Sequence, residues 1–262
     1  MSILSLSMYE RFLQEYSMAN SYFKFKQFTI HQDKCAMKVC TDACLFAALA
    51  AVYRPYLQTK LPRQLANCLD IGTGTGLLSL MFAQKNTEVK IDAIEIDTAA
   101  AEQAAENIAT SPWAENIQVF NDDILNFRPK IKYDCIVSNP PFFEGDLKSA
   151  DNAKNNAKHD TSLDLMQLLR AVDAHLTPDG FLAVLLPYQR VVYFTEEARK
   201  MGLYLVKQVL VKQTFKHKFF RGILFFTRKE LKPEFDMMMI KEPDHNYTPE
   251  FATALKDYYL FL

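Results

Sequence analysis

Glycine is scarce in this chain: seven in 262 residues, three of them between positions 72 and 76. Such clustering marks one specialised backbone turn. Cysteine is scarce as well. Cys35, Cys40, Cys44, Cys68 and Cys135 make an odd count with no Cys-x-x-Cys pair, which excludes a disulfide framework and suits a reducing compartment. The spacing of His31, Cys35, Cys40 and Cys44 matches no common zinc pairing, so packed thiols and no metal are expected. No apolar run approaches the ~18 residues of a membrane span. The first 20 residues lack the basic start and clean apolar stretch of a secretory signal, so a cytoplasmic protein is expected. A net charge of −1 gives no global attraction for a polyanion, and any such surface must be local.

What the chain does have is apolar content, 49%, enough for a large core. Residues 1–21 read as an N-terminal extension, either a short helix through Met8, Phe12, Leu13 and Tyr16 or a tail. Residues 22–262 read as one domain, with a cap segment at 22–60, a core at 61–190, and a hairpin and tail at 191–262. A helix is expected over Thr41–Tyr53, capped by Thr41 or Asp42, with Leu45, Phe46 and Leu49 on its apolar face. Buried strands are expected at Ala66–Ile71, Val89–Ile96, Ile117–Phe120, Tyr133–Val137 and Phe181–Leu186. Helices at Leu77–Gln84, Thr98–Ala109 and Ser162–Leu176 alternate with them, the last capped by Ser162. This alternation predicts a parallel sheet with helices on both faces, completed by an antiparallel hairpin from Tyr204–Val211 and Phe219–Thr227. The predicted fold class is α/β, Rossmann-like, with a seven-stranded, mostly parallel sheet.

The first core strand runs into Asp70-Ile71-Gly72-Thr73-Gly74-Thr75-Gly76 and then a helix. Glycines let the backbone turn tightly and pass close to a ligand without a Cβ clash. The dinucleotide pattern G-x-G-x-x-G is not met, because Leu77 holds the third glycine's place. An acid two residues before the first glycine suits a cofactor with an ammonium group better than one with a pyrophosphate. Asp70 would face that charge directly or through the loop. Glu95 ends the second strand, where a carboxylate can accept two hydrogen bonds from a ribose diol. Asp123, after the third strand, is placed to accept from an adenine amino group, with Ile124 against the ring. Each feature alone is common as plain structure. In this order, at strand ends, they point to S-adenosylmethionine.

Asn139-Pro140-Pro141-Phe142 follows the fourth strand. An adenine amino nitrogen is a poor nucleophile because its lone pair is delocalised into the ring. Accepting both N–H hydrogens favours a pyramidal nitrogen and aims the lone pair at a sulfonium methyl. The Asn139 side-chain carbonyl and the Pro140 backbone carbonyl are suitable acceptors. Two prolines stiffen the turn. Phe142 offers a flat face for an unstacked base, a contact worth ~1–3 kcal/mol. Transfer would be an in-line displacement governed by proximity and orientation, with no metal required. Residues 143–161 are polar, with Lys148, Lys154, Lys158 and His159, and read as a mobile flap or a solvated loop.

With these motifs the chain resembles the class I S-adenosylmethionine-dependent amino-methyltransferases. Phe25-Lys26-Gln27-Phe28, His31 through Val39 and Thr41-Asp42 are similar to the N-terminal signature of the bacterial tRNA (adenine-N6)-methyltransferases acting on valine tRNA. Ser111-Pro112-Trp113-Ala114-Glu115 and the end of the chain, Pro243 through Tyr247 and Tyr258 through Leu262, fit the same family, so the resemblance covers roughly residues 22–262. It implies a class I methyltransferase fold and methylation of the adenine just 3′ of the anticodon. It also implies that Asp70, Gly72, Gly74, Glu95 and Asp123 hold the cofactor, while Asn139, Pro140 and Phe142 hold the base, Asn139 touching both. Lys38–Asp42, with Lys38 and Thr41, would close over the methionine end. The family usually has glycine where this chain has Cys40, and often again at Ala43.

Between Lys207 and Lys232 eight Lys/Arg face one acid, Glu230, with Phe215, Phe219 and Phe220 interleaved. Lys212, Lys216, Lys218 and Arg221, extended by Lys24 and Lys26, are therefore the expected phosphate-facing residues for tRNA. The phenylalanines could equally be core strand positions. Other readings keep the chemistry and change the substrate: release-factor glutamine, ribosomal RNA guanine or DNA adenine. A non-catalytic RNA-binding partner is a further one. No obligate protein partner is evident, and a monomer is expected.

Overall fold

The computed structural model describes residues 21–35, 37–58, 66–141 and 163–262. Phe142, Ser162, the 143–161 segment and the expected leader lie outside the described residues. A short antiparallel hairpin, β1 (Tyr22–Lys24) and β2 (Thr29–His31), precedes α1 (Thr41–Gln58). Then follow β3 (Asn67–Ile71), α2 (Leu77–Lys85), β4 (Lys90–Glu95), α3 (Thr98–Ala109), β5 (Ile117–Asn121) and β6 (Tyr133–Ser138). The second half adds α4 (Leu165–His175), β7 (Leu176–Pro187), α5 (Val191–Lys200), β8 (Tyr204–Lys212), β9 (Phe219–Thr227), β10 (Glu234–Met239) and α6 (Pro249–Leu255).

Among the described residues the central sheet has eight strands, ordered β10-β8-β9-β7-β6-β3-β4-β5. Only β9 runs against the rest, pairing antiparallel with both β7 and β8. The seven-strand expectation is corrected by β10, which joins β8 in parallel at the edge. Its sequence carries weak signal because the strand is mostly exposed, Phe235 and Met237 included. The cap of α4 is corrected too. Asp164, not Ser162, accepts from the Gln167 N–H at 2.7 Å, and the Gln167 side chain accepts from the Asp164 N–H at 2.9 Å. This reciprocal pair satisfies two otherwise orphaned donors.

Alternate strand residues serve opposite layers. Cys135, Val137, Phe181, Ala183, Ile223 and Phe225 pack with α1, α2, α6 and the Phe25–Phe28–Ile30 hairpin. Leu69, Ile136, Leu182, Val184, Leu224 and Phe226 pack with α4 and α5. Coverage of both faces is why the strands read as unbroken apolar runs. The approach of α5 is close: a Cβ on Gly222 would lie 2.4 Å from Val191 Cγ2. Val191 is β-branched and cannot easily swing away. Gly222→Ala is therefore expected to destabilise the fold by ~1–3 kcal/mol, read as a lower denaturation midpoint.

Chain order sets where a ligand goes. From β3 the chain steps outward to β4 and β5, then returns to β6 on the other side of β3 and continues to β7. The crevice at the carboxyl ends of β3 and β6 is thus the topological switch point. The Ser138 hydroxyl donates to the Ile71 carbonyl at 2.9 Å and ties those two ends together.

Candidate active site

Gly72, Gly74 and Gly76 follow β3 with φ of 71°, 55° and 81°, a region where L side chains are strained. A Cβ on Gly72 or Gly74 would meet nothing within 4 Å, because both border a cavity of about 330 Å³. Bare backbone is therefore one wall of the cavity. The Gly72 and Thr73 N–H groups donate to the Ile94 carbonyl at 2.9 and 3.0 Å, locking the loop onto β4.

Asp70 stands behind this loop rather than in the cavity wall. It is fully buried, and its Oδ2 accepts from the hydroxyls of Thr73 and Ser79, each at 2.7 Å. Its Oδ1 has no partner. Burial pushes its pKa up to about 6, against the opposing pull of the two hydroxyls. Asp70 thus braces the loop that walls the cavity.

Glu95, at the end of β4, accepts from the Gly74 N–H at 2.9 Å through Oε2 and from the Asp97 N–H at 3.0 Å through Oε1. Each oxygen retains a lone pair for a diol. Asp123 and Ile124, after β5, line the same cavity, as do Asn139 and Pro140 after β6. Asn139 Oδ1 is buried and has no hydrogen-bond partner. A smaller cavity of about 60 Å³ shares Gly72, Gly74 and Asn139 with the first, and Lys38, Cys40 and Ala43 border it. Cys40 and Ala43, where the family resemblance led one to expect glycine, thus put side chains on its wall. Thr41 begins α1 and borders neither cavity; its neighbour Asp42 accepts from Arg221 at 2.7 Å, bracing α1 against β9.

Sequence reasoning missed several wall residues. Asp97 caps α3 by accepting from the Ala100 N–H, and Asp122 adjoins Asp123; both border the larger cavity. Their signals were local and readable. Met37 and Gln167 reach it from distant segments that give no such sign. Cys35 borders it too, its thiol lifted to about 11 first by burial, while burial raises Cys40 and Cys44 to about 12. Protonated thiols are poor nucleophiles at neutral pH.

The expected RNA-facing cations divide. Lys212 lies over the Phe219 ring at 5.7 Å and Lys216 over Phe215 at 5.5 Å. With Lys218 they surround the turn between β8 and β9, at the sheet edge that also carries Asn139. Tyr188, 41% exposed, leans on Phe219 there at 5.7 Å. Arg221 is engaged by Asp42. The Lys26 ammonium donates to the Lys256 carbonyl at 2.5 Å. The next residue, Asp257, pairs with Lys85 at the far end of α2 from the glycine loop. Lys26, and Lys24 with it on the hairpin, therefore lie away from that turn.

A doubly wound sheet with a glycine loop after its first core strand, acids at the ends of the next two and an Asn-Pro-Pro turn at the switch point is the arrangement of a class I methyltransferase. The family model described as Methyltransferase small domain matches residues 39–191. A crystal structure of a predicted O-methyltransferase, Atu636 from Agrobacterium tumefaciens, shares the fold: TM-score 0.61 at 16% identity, covering 82% of this chain and 96% of that one. The tRNA1(Val) (adenine(37)-N6)-methyltransferase of Dyadobacter fermentans is 40% identical over 245 residues, covering 92% of this chain and 98% of the relative. Its namesake from Salmonella arizonae is 38% identical over 243 residues, covering 92% and 95%. The chain belongs to this tRNA1(Val) (adenine(37)-N6)-methyltransferase family of S-adenosylmethionine-dependent enzymes.

Proposed function

We propose that the chain methylates N6 of adenine 37, just 3′ of the anticodon, in valine tRNA. The observation that carries this reading is Asn139 Oδ1: a buried acceptor with no partner, at the switch point, beside a backbone-walled cavity. Leaving such an atom unmade costs ~1–3 kcal/mol. An amino group entering the crevice relieves that cost by donating to it.

The residues fit the cofactor. The open space at Gly72 and Gly74 receives a ligand that a Cβ would obstruct. Glu95 has lone pairs for a ribose diol, Asp123 for an adenine amino group, and Ile124 offers the ring an apolar surface. The smaller cavity, with Lys38 at its border, suits the amino-acid end. When bound, S-adenosylmethionine supplies an electrophilic methyl on a positive sulfur. Asn139 Oδ1 and the Pro140 carbonyl then accept the two N–H bonds of the target amino group. They disfavour its planar form and turn its lone pair toward the methyl. The Ser138–Ile71 hydrogen bond keeps those acceptors from drifting away from the glycine loop. Phe142 belongs to the same reading as the stacking face for the base.

Lys212, Lys216 and Lys218 meet phosphates on the flank of the crevice, with Tyr188 and Phe219 as aromatic surface beside them. Among the described residues no helix is long and apolar enough to cross a membrane, and a tRNA substrate implies work in the cytoplasm. Nucleoside mass spectrometry tests the reading. Deleting the gene is expected to remove N6-methyladenosine from position 37 of valine tRNA, and the purified protein to restore it. Persistence of the modification would overturn the proposal. So would activity confined to ribosomal RNA, DNA or release factor.

A further inference from the structure

A second cavity, of about 560 Å³, opens beside the cofactor cavity and shares Ile124 and Leu125 with it. It exists because the chain passes from β5 to β6 through residues 122–132, an irregular stretch that puts no helix over the sheet. The opposite wall is α4. Gln167 borders the cofactor cavity, while Arg170, Ala171 and Ala174 border this one. Positions three, four and seven apart lie along one helix face, so Arg170 stands one turn, ~5 Å, beyond Gln167.

The charge of this groove is one-sided. Arg128, Lys130, Lys132, Arg170 and His175 line it, and among the described residues no aspartate or glutamate does. Asp173, on the same helix, is turned away onto Arg228 at 2.9 Å. Arg128 has a structural task, its Nη1 donating to the carbonyls of Leu125 and Phe127 at 2.9 Å each. Among the described residues, Lys130, Lys132 and Arg170 form no ion pair. The His175 pKa is lowered, first by burial and then by Arg128 and Lys132. Exposed Leu125 and Ile131 add apolar surface at its rim.

Cations gathered without counter-ions repel one another, and an anion relieves that repulsion. A phosphodiester strand matches the whole groove, its phosphates meeting the cations and its sugars the apolar rim. From Ile124 and Leu125 beside the cofactor cavity the groove runs along α4 toward the amino ends of β6 and β7, which Lys132 and His175 directly precede. We infer that it holds the sugar-phosphate backbone of the RNA whose adenine enters the neighbouring site, leading the strand away from the reacting base along α4. The inference rests on the tRNA reading.

The test uses the full chain and its Lys130→Gln/Lys132→Gln/Arg170→Gln variant, with Arg128 left in place. Affinity for valine tRNA is expected to fall at least ~10-fold near 0.1 M salt. The slope of log K against log salt should shrink by about 2, at ~0.7 for each single-strand phosphate contact. Cofactor affinity, read by calorimetry, should not move. A charge-keeping variant, Lys130→Arg/Lys132→Arg/Arg170→Lys, should bind tRNA like the parent. Unchanged tRNA affinity and slope in the glutamine variant would overturn the groove's role, as would equally poor binding by the charge-keeping variant. A parent protein that methylates no tRNA would instead reject the underlying reading.

Discussion

Asn139→Ala is expected to slow methyl transfer at least ~100-fold, the scale of losing one preorganised polar contact to a reacting group. Cofactor affinity is expected to change by no more than a few-fold. The asymmetry follows from the site. The groups assigned to the cofactor are Glu95, Asp123, Lys38 and the loop backbone, and none of them is the Asn139 side chain. Asn139 borders both cavities, but its side-chain oxygen is unpartnered and buried, so truncation removes wall and not anchor. Removing an unsatisfied acceptor also relieves a cost in the free enzyme, so the melting temperature should hold. A loss of kcat with little change in KM for cofactor would mark an interaction made mainly as the methyl moves. Single-turnover transfer with saturating cofactor and tRNA measures it. Turnover equal to the parent would take Asn139 out of the chemistry.

Much of the site was readable because strand ends are readable. A strand covered on both faces leaves an apolar run in the sequence, and the run's end locates the crevice to within a residue or two. Gly72, Asp123 and Asn139 stand just past such an end and Glu95 at one, and the fold gathers all four around one cavity. Where burial is slight the signal fades. β10 exposes most of its residues, and the three-residue strands of the hairpin leave too little pattern to see. Other features are long-range and leave no local trace. Arg221 looked like a phosphate contact, yet its partner Asp42 lies 179 residues away. Arg128, Lys130 and Lys132 form a short basic stretch, but only the packing of α4 beside the β5–β6 segment joins Arg170 to it.

Asp70→Asn is expected to stabilise the cofactor-free enzyme while weakening cofactor binding at least ~10-fold. The folded pKa of Asp70, about 6, lies above its ordinary value of 3.8. The unfolded chain therefore releases this proton first as pH rises. The favourable contribution of Asp70 is complete below about 3.8 and is lost as pH climbs through about 6. At pH 7.5 the fold holds a buried anion at a cost of up to ~3 kcal/mol, at ~1.4 kcal/mol per pH unit. Asparagine keeps the shape without the charge, and the Thr73 and Ser79 hydroxyls can rotate to accept from its amide, so the melting temperature should rise. That cost has a use. A cofactor bearing a sulfonium and an ammonium favours an anion behind the glycine loop, so binding should draw the Asp70 pKa down and release a proton. Parent affinity is then expected to fall as pH drops through about 6, while the asparagine variant stays flat. Calorimetry between pH 5 and 8, in buffers of different ionisation enthalpy, reads both the affinity and the proton. Parallel pH profiles, or equal affinities at pH 7.5, would mean that the charge of Asp70 does not reach the cofactor.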